Sequence, residues 1–325
     1  MPKDNSGIQK INGNFKGKDI VSLDQFSSKD IDIVLKVTKK MKTIAVNAKP
    51  SRILAGNIVT LIFYEPSSRT FGSFAAAVKQ LGGQTIEIQD PQHFSSVSKG
   101  ETLEDTMRVF EAYSDAIVIR HPVKGTAEAA ANAAFFVPIV NAGDGIGEHP
   151  TQALLDLATI FEKHKRLNNL TGVMAGDLLN GRTIHSLIRA LALYKGTTLY
   201  LLSPKELKLT REDYNNFTSR GIKLIEIENE TQLPKNADFW YWTRVQKERF
   251  SSLEEYEKVK NKFIVTPELM KTYAGKNTIL MHPLPRVGEI LPEIDNDPRA
   301  MYLRSEVRNG MYVRMALLAL ILGKV

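Results

Sequence analysis

The chain of 325 residues contains no cysteine. This absence excludes a disulfide framework, a thiolate nucleophile, and zinc or iron–sulfur sites held by cysteine. Long hydrophobic runs are also missing, since no stretch reaches the roughly 18 apolar residues that a membrane-spanning helix needs. The first seventeen residues are polar and lack the apolar segment of a secretory signal. We therefore expect a cytoplasmic protein whose chemistry depends on groups other than thiols.

The overall composition is that of a globular protein with a modest excess of positive charge. Hydrophobic residues make up 43% and charged residues 24%, which is too apolar for a disordered chain. The length suits two domains of roughly 150 residues each. Lys and Arg number 43 against 36 Asp and Glu, for a net charge of +7. Such a surface favours anions, so nucleic acid, anionic lipid and small phosphorylated substrates are all candidate partners.

Short apolar runs alternate with amphipathic stretches along the chain. The run at 58–64 is rich in β-branched and aromatic residues, as in a strand buried on both faces, and it stops at Glu65-Pro66. Apolar residues then recur at helical spacing from Phe71 to Leu81 before two glycines. The same alternation predicts strands at 85–88, 116–119, 136–140, 172–175, 198–202, 222–227, 239–243 and 278–281, and further helices at 101–113, 125–134, from 149 onward, 183–194 and 306–322.

This alternation predicts an α/β protein with two doubly wound parallel-sheet domains. We expect a first domain over 1–150 and a second over 151–304, with the boundary along the helix that begins at 149. The apolar helix within 305–325 is expected to pack back on the first domain. Ligands of such sheets bind outside the carboxyl ends of the strands. The loops that follow strands are therefore the candidate functional segments, and the expected site lies in the cleft between the domains.

Three such loops occur in the first half. Ser67-Ser68-Arg69-Thr70 opens a helix, whose free N–H groups and positive dipole end can bind an anion. A serine there also suits a plain helix cap, so this alternative stays open. Arg120 follows a strand and is expected to face the same crevice. A glycine-rich loop, 143–147, precedes His149 and Gln152 in the first turn of the next helix; the glycines are expected to let the chain approach a ligand closely.

The second half repeats the arrangement. Arg182 begins a helix after a strand, and Arg244 follows the aromatic strand in a basic loop. At 282–286 two prolines fix the backbone after a strand, and their carbonyl oxygens can accept hydrogen bonds from an amide or amine. Both halves thus present cations at strand ends, as a pair of small anionic substrates requires.

The motifs resemble those of the aspartate carbamoyltransferase catalytic chain, within the aspartate/ornithine carbamoyltransferase superfamily. The similarity covers nearly the whole chain in order. It rests on the segments Ser67-Ser68-Arg69-Thr70, Arg120-His121-Pro122, His149-Pro150-Thr151-Gln152-Ala153-Leu154-Leu155-Asp156, Gly181-Arg182-Thr183-Ile184-His185-Ser186-Leu187, Thr243-Arg244-Val245-Gln246-Lys247-Glu248-Arg249 and His282-Pro283-Leu284-Pro285-Arg286.

The resemblance implies transfer of the carbamoyl group of carbamoyl phosphate to the amine of L-aspartate, the committed step of pyrimidine synthesis, without a metal or organic cofactor. It implies that the phosphate is bound by Ser67, Ser68, Arg69, Thr70 and Arg120. The carbonyl oxygen is expected to be polarised by Thr70, Arg120 and His149, and the carbamoyl NH2 to be bound by Gln152 and the carbonyls of Pro283 and Leu284.

The same resemblance assigns the aspartate carboxylates to Arg182, Arg244 and Gln246, together with Lys99. Ser95 and Lys99, in a serine-rich loop at 89–100, are expected to enter the site of the neighbouring subunit. The implied assembly is a catalytic homotrimer, to which regulatory chains can be added in the family. Glu65 is expected to bridge the domains to Arg182 and Arg249 when both substrates are bound.

Two departures and three alternatives accompany the resemblance. Ser68 replaces the usual threonine and keeps its hydroxyl, whereas Phe71 replaces an arginine and receives no role. Ornithine carbamoyltransferase shares the phosphate motif, but it has a cysteine where this chain has Pro283. Nucleic-acid binding fits the pI near 9.3, although the chain has no basic stripe interleaved with aromatic residues. An inactive homologue is disfavoured because so many cations are retained in the loops.

Overall fold

The structure is a computed structural model that describes residues 8–47, 50–245, 250, 252, 254, 256–257 and 262–325. Contacts between residues divide the chain into two compact units. Unit 1 comprises Met1–Leu155 and Arg308–Val325, and unit 2 comprises Asp156–Val307. The division falls a few residues beyond 150 and 304, where the sequence had suggested the domain limits.

Unit 1 is built on a parallel four-stranded sheet with strand order β2-β1-β3-β4. The central strands are almost fully buried, because helices cover both faces of a parallel sheet. The strands are β1 (Ile58–Phe63), β2 (Gln84–Gln89), β3 (Ala116–His121) and β4 (Ile139–Asp144). The helices are α1 (Ser28–Val46), α2 (Ser68–Gln80), α3 (Pro91–Phe94), α4 (Leu103–Glu111) and α5 (Thr126–Ala133).

Helix α6 (Pro150–His164) leads from unit 1 into unit 2. Unit 2 has a parallel five-stranded sheet with strand order β7-β6-β5-β8-β9. Its strands are β5 (Thr171–Ala175), β6 (Thr198–Leu202), β7 (Lys223–Ile227), β8 (Phe239–Trp242) and β9 (Ile279–Met281). Its helices include α7 (Arg182–Leu191), α8 (Arg211–Ser219) and α9 (Pro267–Tyr273). The two sheets confirm the predicted α/β class.

The last helix, α10 (Ser305–Ile321), packs against unit 1 through most of its length. The Arg314 guanidinium donates to Ser73 Oγ at 3.0 Å and lies 5.1 Å from the centroid of the Phe74 ring. The Ile321 carbonyl accepts a hydrogen bond from Gly17 N at 2.8 Å. These contacts confirm that the C-terminal helix returns to the first half of the chain.

Two predicted segments differ from the structure. The strand predicted at 136–140 is β4, shifted to Ile139–Asp144, because Pro138 separates it from Phe136, whose residue surface is 62% exposed. The segment at 89–100 is not a simple loop, since α3 is followed by a 3-10 helix over Ser96–Lys99. Val97 of that turn packs on the core formed by Ile62, Met107 and their neighbours.

Sequence periodicity also missed helix α1. Its start carries a capping box, in which Ser27 and Asp30 each satisfy a backbone N–H of the other. Its buried residues Ile31, Val34 and Met41 follow helical spacing. The signal was therefore in the sequence, in the Ser-x-x-Asp pattern that precedes the apolar residues. In the part of the chain that the structure describes, no helix is both long and apolar enough to cross a membrane.

A pair of buried carboxyl groups lies in the core of unit 2. Asp156 is fully buried and Glu306 is 2% exposed. Burial raises the pKa of Glu306 well above its usual value, and the charge of Asp156 raises it further. One Glu306 oxygen, Oε2, accepts a hydrogen bond from His282 N at 3.0 Å. Glu306 therefore keeps its proton in the folded chain at pH values where the unfolded chain has lost it.

Glu306→Gln is expected to stabilise the protein at alkaline pH. Because the folded pKa exceeds the unfolded value of about 4.3, the stability of the wild type falls as the pH rises from about 4.3 toward the folded pKa. Glutamine retains the carbonyl that accepts from His282 N and has no proton to lose. The Tm at pH 8 should rise by about 2–4 °C for each kcal/mol regained, and the gain should shrink at pH 5. Thermal melts at both pH values test this, and an equal shift at both would contradict it.

Candidate functional site

The amino end of α2 presents the tetrapeptide that follows β1. Ser67 occupies the N-cap position, but its side chain makes no capping hydrogen bond. Ser68 and Arg69 are exposed, whereas Thr70 is buried. The simple helix-cap role for Ser67 is therefore not what the structure shows. Hydroxyls, backbone N–H groups and a guanidinium at a helix amino end together form a seat for an anion.

Arg120 lies beside this seat because β1 and β3 are neighbours in the sheet. It sits opposite Phe63 in the strand register, and it is 7% exposed. Its Nη2 is 2.6 Å from Glu65 Oε2, and its Nη1 donates to the Ala142 carbonyl at 3.2 Å. A buried guanidinium needs such partners to offset the loss of water. Glu65 therefore neutralises Arg120 in this structure, a contact that the sequence did not predict.

His149 and Gln152 follow β4, the next strand in the sheet. His149 is 4% exposed, and its Nδ1 lies 3.5 Å from Thr151 Oγ1. The His149 carbonyl accepts a hydrogen bond from Gln152 N at 3.0 Å, as the first turn of α6 forms. Three neighbouring strands, β1, β3 and β4, thus carry residues 67–70, Arg120 and the turn at 149–152 at or beyond their carboxyl ends.

The glycine-rich loop before His149 serves packing within the chain. A Cβ on Gly145, whose φ is +54°, would lie 2.3 Å from the Pro122 carbonyl oxygen. A Cβ on Gly147 would lie 2.5 Å from Asp144 Oδ1. Both glycines therefore allow close contact with neighbouring loop atoms, which a side chain would prevent. Asp144 fixes the loop by accepting hydrogen bonds from Gly125 N and Glu148 N, at 2.9 and 2.7 Å.

His121, which adjoins Arg120, has a structural role. Its Nδ1 accepts a hydrogen bond from Val123 N at 3.1 Å, and its ring packs 4.7 Å from the Tyr64 ring centroid. Burial lowers the pKa of His121 despite the opposing charges of Asp144 and Glu65. The imidazole is thus neutral near pH 7 and adds no charge to the anion seat.

Ser95 precedes the 3-10 turn after α3, and Lys99 is the last residue of that turn. Ser95 Oγ donates to the Pro91 carbonyl at 2.8 Å and accepts from Val97 N at 3.2 Å. Lys99 ends the turn and is exposed. The serine hydroxyl therefore shapes the segment locally, while the lysine side chain extends into solvent.

In unit 2, Arg182 is the first residue of α7, after β5. The turn before it is tight, since a Cβ on Gly181 would lie 2.4 Å from the Asp177 carbonyl oxygen. Asp177 Oδ1 accepts a hydrogen bond from Asn180 N at 2.9 Å, which fixes the turn. Arg182 thus stands at the positive dipole end of α7.

Arg244 follows β8, which pairs with β5. The strand end is held close to β5, because Thr243 N and Thr243 Oγ1 both donate to the Ala175 carbonyl, at 2.8 and 2.9 Å. Arg244 is partly buried. The predicted residues Gln246 and Arg249 lie outside the described residues.

Strand β9, next to β8, is followed by the segment His282-Pro283-Leu284. Leu284 has a φ of +55°, and the peptide bond to Pro285 is cis. Leu284 N donates to His282 Nδ1 at 2.8 Å. The buried His282 is in turn 2.7 Å from Glu289 Oε1 through its Nε2. Sequence reasoning missed Glu289, because nothing in its sequence position marks a contact with His282.

The predicted residues thus form two half-sites, each at the carboxyl ends of three adjacent strands. Among the residues that the structure describes, no group of three or more His, Asp or Glu side chains could hold a metal ion. Each half-site carries arginine at the start of a helix. A guanidinium at a helix amino end can bind a phosphate or a carboxylate by the same chemistry.

Comparison with known proteins agrees with this arrangement. Residues 18–162 match the carbamoyl-phosphate-binding domain of the aspartate/ornithine carbamoyltransferases, and residues 168–321 match their Asp/Orn-binding domain. The aspartate carbamoyltransferase catalytic subunit of Methanosarcina barkeri is 45% identical over 95% of this chain and 98% of its own length. The multifunctional protein pyr1-3 of Dictyostelium discoideum is 46% identical over 94% of this chain, which spans 14% of that longer protein.

A solved structure is similar over nearly the whole length. Aspartate transcarbamoylase from Trypanosoma cruzi, in complex with carbamoyl phosphate and aspartate, has a TM-score of 0.86 and 36% identity, covering 95% of this chain and 96% of that one. The two matching domain models together span most of the sequence. This chain belongs to the aspartate/ornithine carbamoyltransferase family.

Proposed function

We propose that this chain transfers the carbamoyl group of carbamoyl phosphate to the amine of L-aspartate, giving N-carbamoyl-L-aspartate and phosphate. This reaction is the committed step of pyrimidine synthesis. The observation that carries the proposal is that each unit has an arginine-bearing half-site, formed at the ends of neighbouring strands of its own sheet. The relatives named as aspartate carbamoyltransferases favour aspartate over ornithine.

The phosphate of carbamoyl phosphate binds at the amino end of α2. Backbone N–H groups, the hydroxyls of Ser67, Ser68 and Thr70, and the Arg69 guanidinium donate to its oxygens. Arg120 adds a second guanidinium from the neighbouring strand. For this, the phosphate must compete with Glu65 for Arg120, since the two side chains are ion-paired in the structure.

In its neutral form, the aspartate amine attacks the carbamoyl carbon. A C–N bond forms, the carbon–oxygen bond to phosphate breaks, and the amine proton passes to the departing phosphate. Negative charge develops on the carbonyl oxygen, where Thr70, Arg120 and His149 donate hydrogen bonds. Donors held in place before the reaction lower the barrier because they do not reorganise as the charge grows. Gln152 and the carbonyls of Pro283 and Leu284 bind the carbamoyl nitrogen.

The two carboxylates of aspartate bind to Arg182 and Arg244 in unit 2, with Gln246 contributing from the segment outside the described residues. A guanidinium binds a carboxylate with two parallel hydrogen bonds, whereas the cationic side chain of ornithine would be repelled. Unit 2 therefore selects a dicarboxylic amino acid.

A carbamoyl-transfer assay with aspartate and ornithine side by side tests this function. With carbamoyl phosphate present, we expect carbamoyl-aspartate to form and carbamoyl-ornithine to be absent. Transfer to ornithine alone would overturn the substrate assignment. Salt-dependent retention on DNA without any transfer would overturn the enzymatic proposal and favour nucleic-acid binding.

The site also takes Ser95 and Lys99 from the neighbouring subunit of a homotrimer. Lys99 is exposed at the end of its turn, which suits a residue that acts on an adjoining copy. Mixed trimers of the Lys99→Ala and Arg69→Ala chains provide the test. Some of their sites combine two intact contributions, so we expect activity well above that of either variant alone. Activity no higher than in the separate variants would place Lys99 in its own subunit's site.

Glu65 has a second role in this proposal, as the residue that links the two units when both substrates are bound. Its partners are then Arg182 and Arg249, and closure excludes water from the charged contacts. We expect Glu65→Ala to weaken aspartate saturation and to lower kcat. Steady-state kinetics with aspartate varied would measure this, with Glu87→Ala as the control carboxylate in the same unit. An unchanged aspartate response would reject the link.

A further inference from the structure

The loop after β9 adopts a backbone conformation that its sequence disfavours. Leu284 has a φ of +55°, in the left-handed region that residues other than glycine rarely adopt. Such a conformation persists only where surrounding contacts fix it, and strained residues tend to cluster at active sites and ligand clamps. The contacts that fix Leu284 therefore control where the neighbouring backbone carbonyls point.

The immediate contact comes from His282. Leu284 N donates to His282 Nδ1 at 2.8 Å. An imidazole nitrogen accepts a hydrogen bond only when it carries no proton, so the proton of the neutral ring is on Nε2. That nitrogen faces Glu289 Oε1 at 2.7 Å. The tautomer that suits Leu284 is thus the one that Glu289 selects.

Glu289 holds both ends of the loop. Its Oε1 contacts His282, and its Oε2 accepts a hydrogen bond from Val287 N at 2.9 Å. Burial alone would raise the pKa of Glu289, but the His282 contact and the Val287 N–H lower it below the usual value. The carboxylate is therefore charged at neutral pH. Its backbone is anchored in turn, since the Glu289 carbonyl accepts from Val265 N at 2.9 Å.

We propose that Glu289 and His282 are positioning residues that orient the Pro283 and Leu284 carbonyl oxygens toward the nitrogen of the carbamoyl group. The inference rests on the proposed function, in which these carbonyls bind that nitrogen. Neither side chain touches the substrate. Glu289 selects the His282 tautomer, His282 fixes the Leu284 N–H, and the carbonyls are then held before the substrate arrives. Placing an acceptor in advance is the condition for efficient orientation.

Glu289→Ala removes the carboxylate that selects the His282 tautomer, and it should weaken the saturation of the enzyme by carbamoyl phosphate. We expect the KM for carbamoyl phosphate to rise by up to about 100-fold, the loss that misplacing a group by about 1 Å can cause, together with a lower kcat. Inhibition by inorganic phosphate should be unchanged, because the phosphate seat lies in unit 1. Glu289→Gln keeps the oxygen that accepts from Nε2–H but loses the one that accepts from Val287 N, so it should restore part of the activity.

Asp297→Ala is the matched control. Asp297 pairs with Arg299 at 2.7 Å in the same unit, at a sequence position outside the 282–289 loop. Its loss should lower stability without changing the KM for carbamoyl phosphate. A KM unchanged in Glu289→Ala, or raised equally in Asp297→Ala, would overturn the positioning role.

An NMR measurement tests the geometry independently of activity. In protein with 15N-labelled histidine, His282 should show an unprotonated Nδ1 and a protonated Nε2. The Glu289→Gln variant should keep this state, and Glu289→Ala should lose it. A protonated Nδ1 in the wild type would overturn the proposal. Absence of carbamoyl transfer by the wild type would refute the proposed function instead, and the tautomer would still report on the positioning contacts.

Discussion

Arg69→Ala is expected to lower kcat by about 100- to 1,000-fold, the usual effect of removing one donor from a preorganised anion site. Arg69 is exposed in the first turn of α2, so its truncation should leave the fold intact. The variant loses a guanidinium that engages two phosphate oxygens at once. Steady-state kinetics with carbamoyl phosphate varied measures the effect.

Two further variants sharpen this prediction. Arg69→Lys keeps the charge but not the forked geometry, and it should fall between the wild type and Arg69→Ala. Arg108→Ala is the matched control, because Arg108 is an exposed arginine of unit 1 that lies over the Phe135 ring. Its kcat should equal that of the wild type. Full activity in Arg69→Ala would contradict the proposal that the amino end of α2 binds the phosphate.

Arg182→Ala is expected to raise the KM for aspartate by about 30-fold or more. Losing one partner of a hydrogen-bonded charge pair costs about 2–5 kcal/mol, and each 1.4 kcal/mol is about tenfold in binding. The affinity for carbamoyl phosphate should change little, because its phosphate binds in unit 1. The expected result is therefore a defect specific to the second substrate.

The control for Arg182 is Arg220→Ala. Arg220 is an exposed arginine of unit 2 whose Nε donates to Asn216 at 3.1 Å. It should leave both KM values unchanged. If Arg182→Ala instead weakened carbamoyl phosphate binding and left aspartate saturation intact, the assignment of the carboxylates to unit 2 would be wrong.

Much of the fold could be predicted because the strand signal is local. The strand at Thr198–Leu202 was predicted with the bounds that the structure has, and the buried runs at 58–64 and 116–119 were predicted nearly so. Apolar residues alone misplaced β4, since Phe135 and Phe136 look like strand residues but are exposed. Their backbone N–H groups instead donate to Glu111, a contact that depends on tertiary structure.

The candidate site was likewise predictable only in part. Motif reasoning selected Arg69, Arg120 and Arg182, because each follows a predicted strand, and strand ends meet at one edge of a parallel sheet. It did not find that Glu65 pairs with Arg120 or that Glu289 fixes His282. Those contacts join residues whose sequence separation carries no periodic signal, so only the folded chain reveals them.

A crystal structure with a bisubstrate analogue, in which a phosphonoacetyl group is joined to the nitrogen of aspartate, tests the account most directly. We expect the phosphonate to contact Ser67, Arg69 and Thr70, with Arg120 released from Glu65. The two carboxylates should contact Arg182 and Arg244. An analogue bound with its carboxylates on the α2 seat, or bound away from these arginines, would contradict the account.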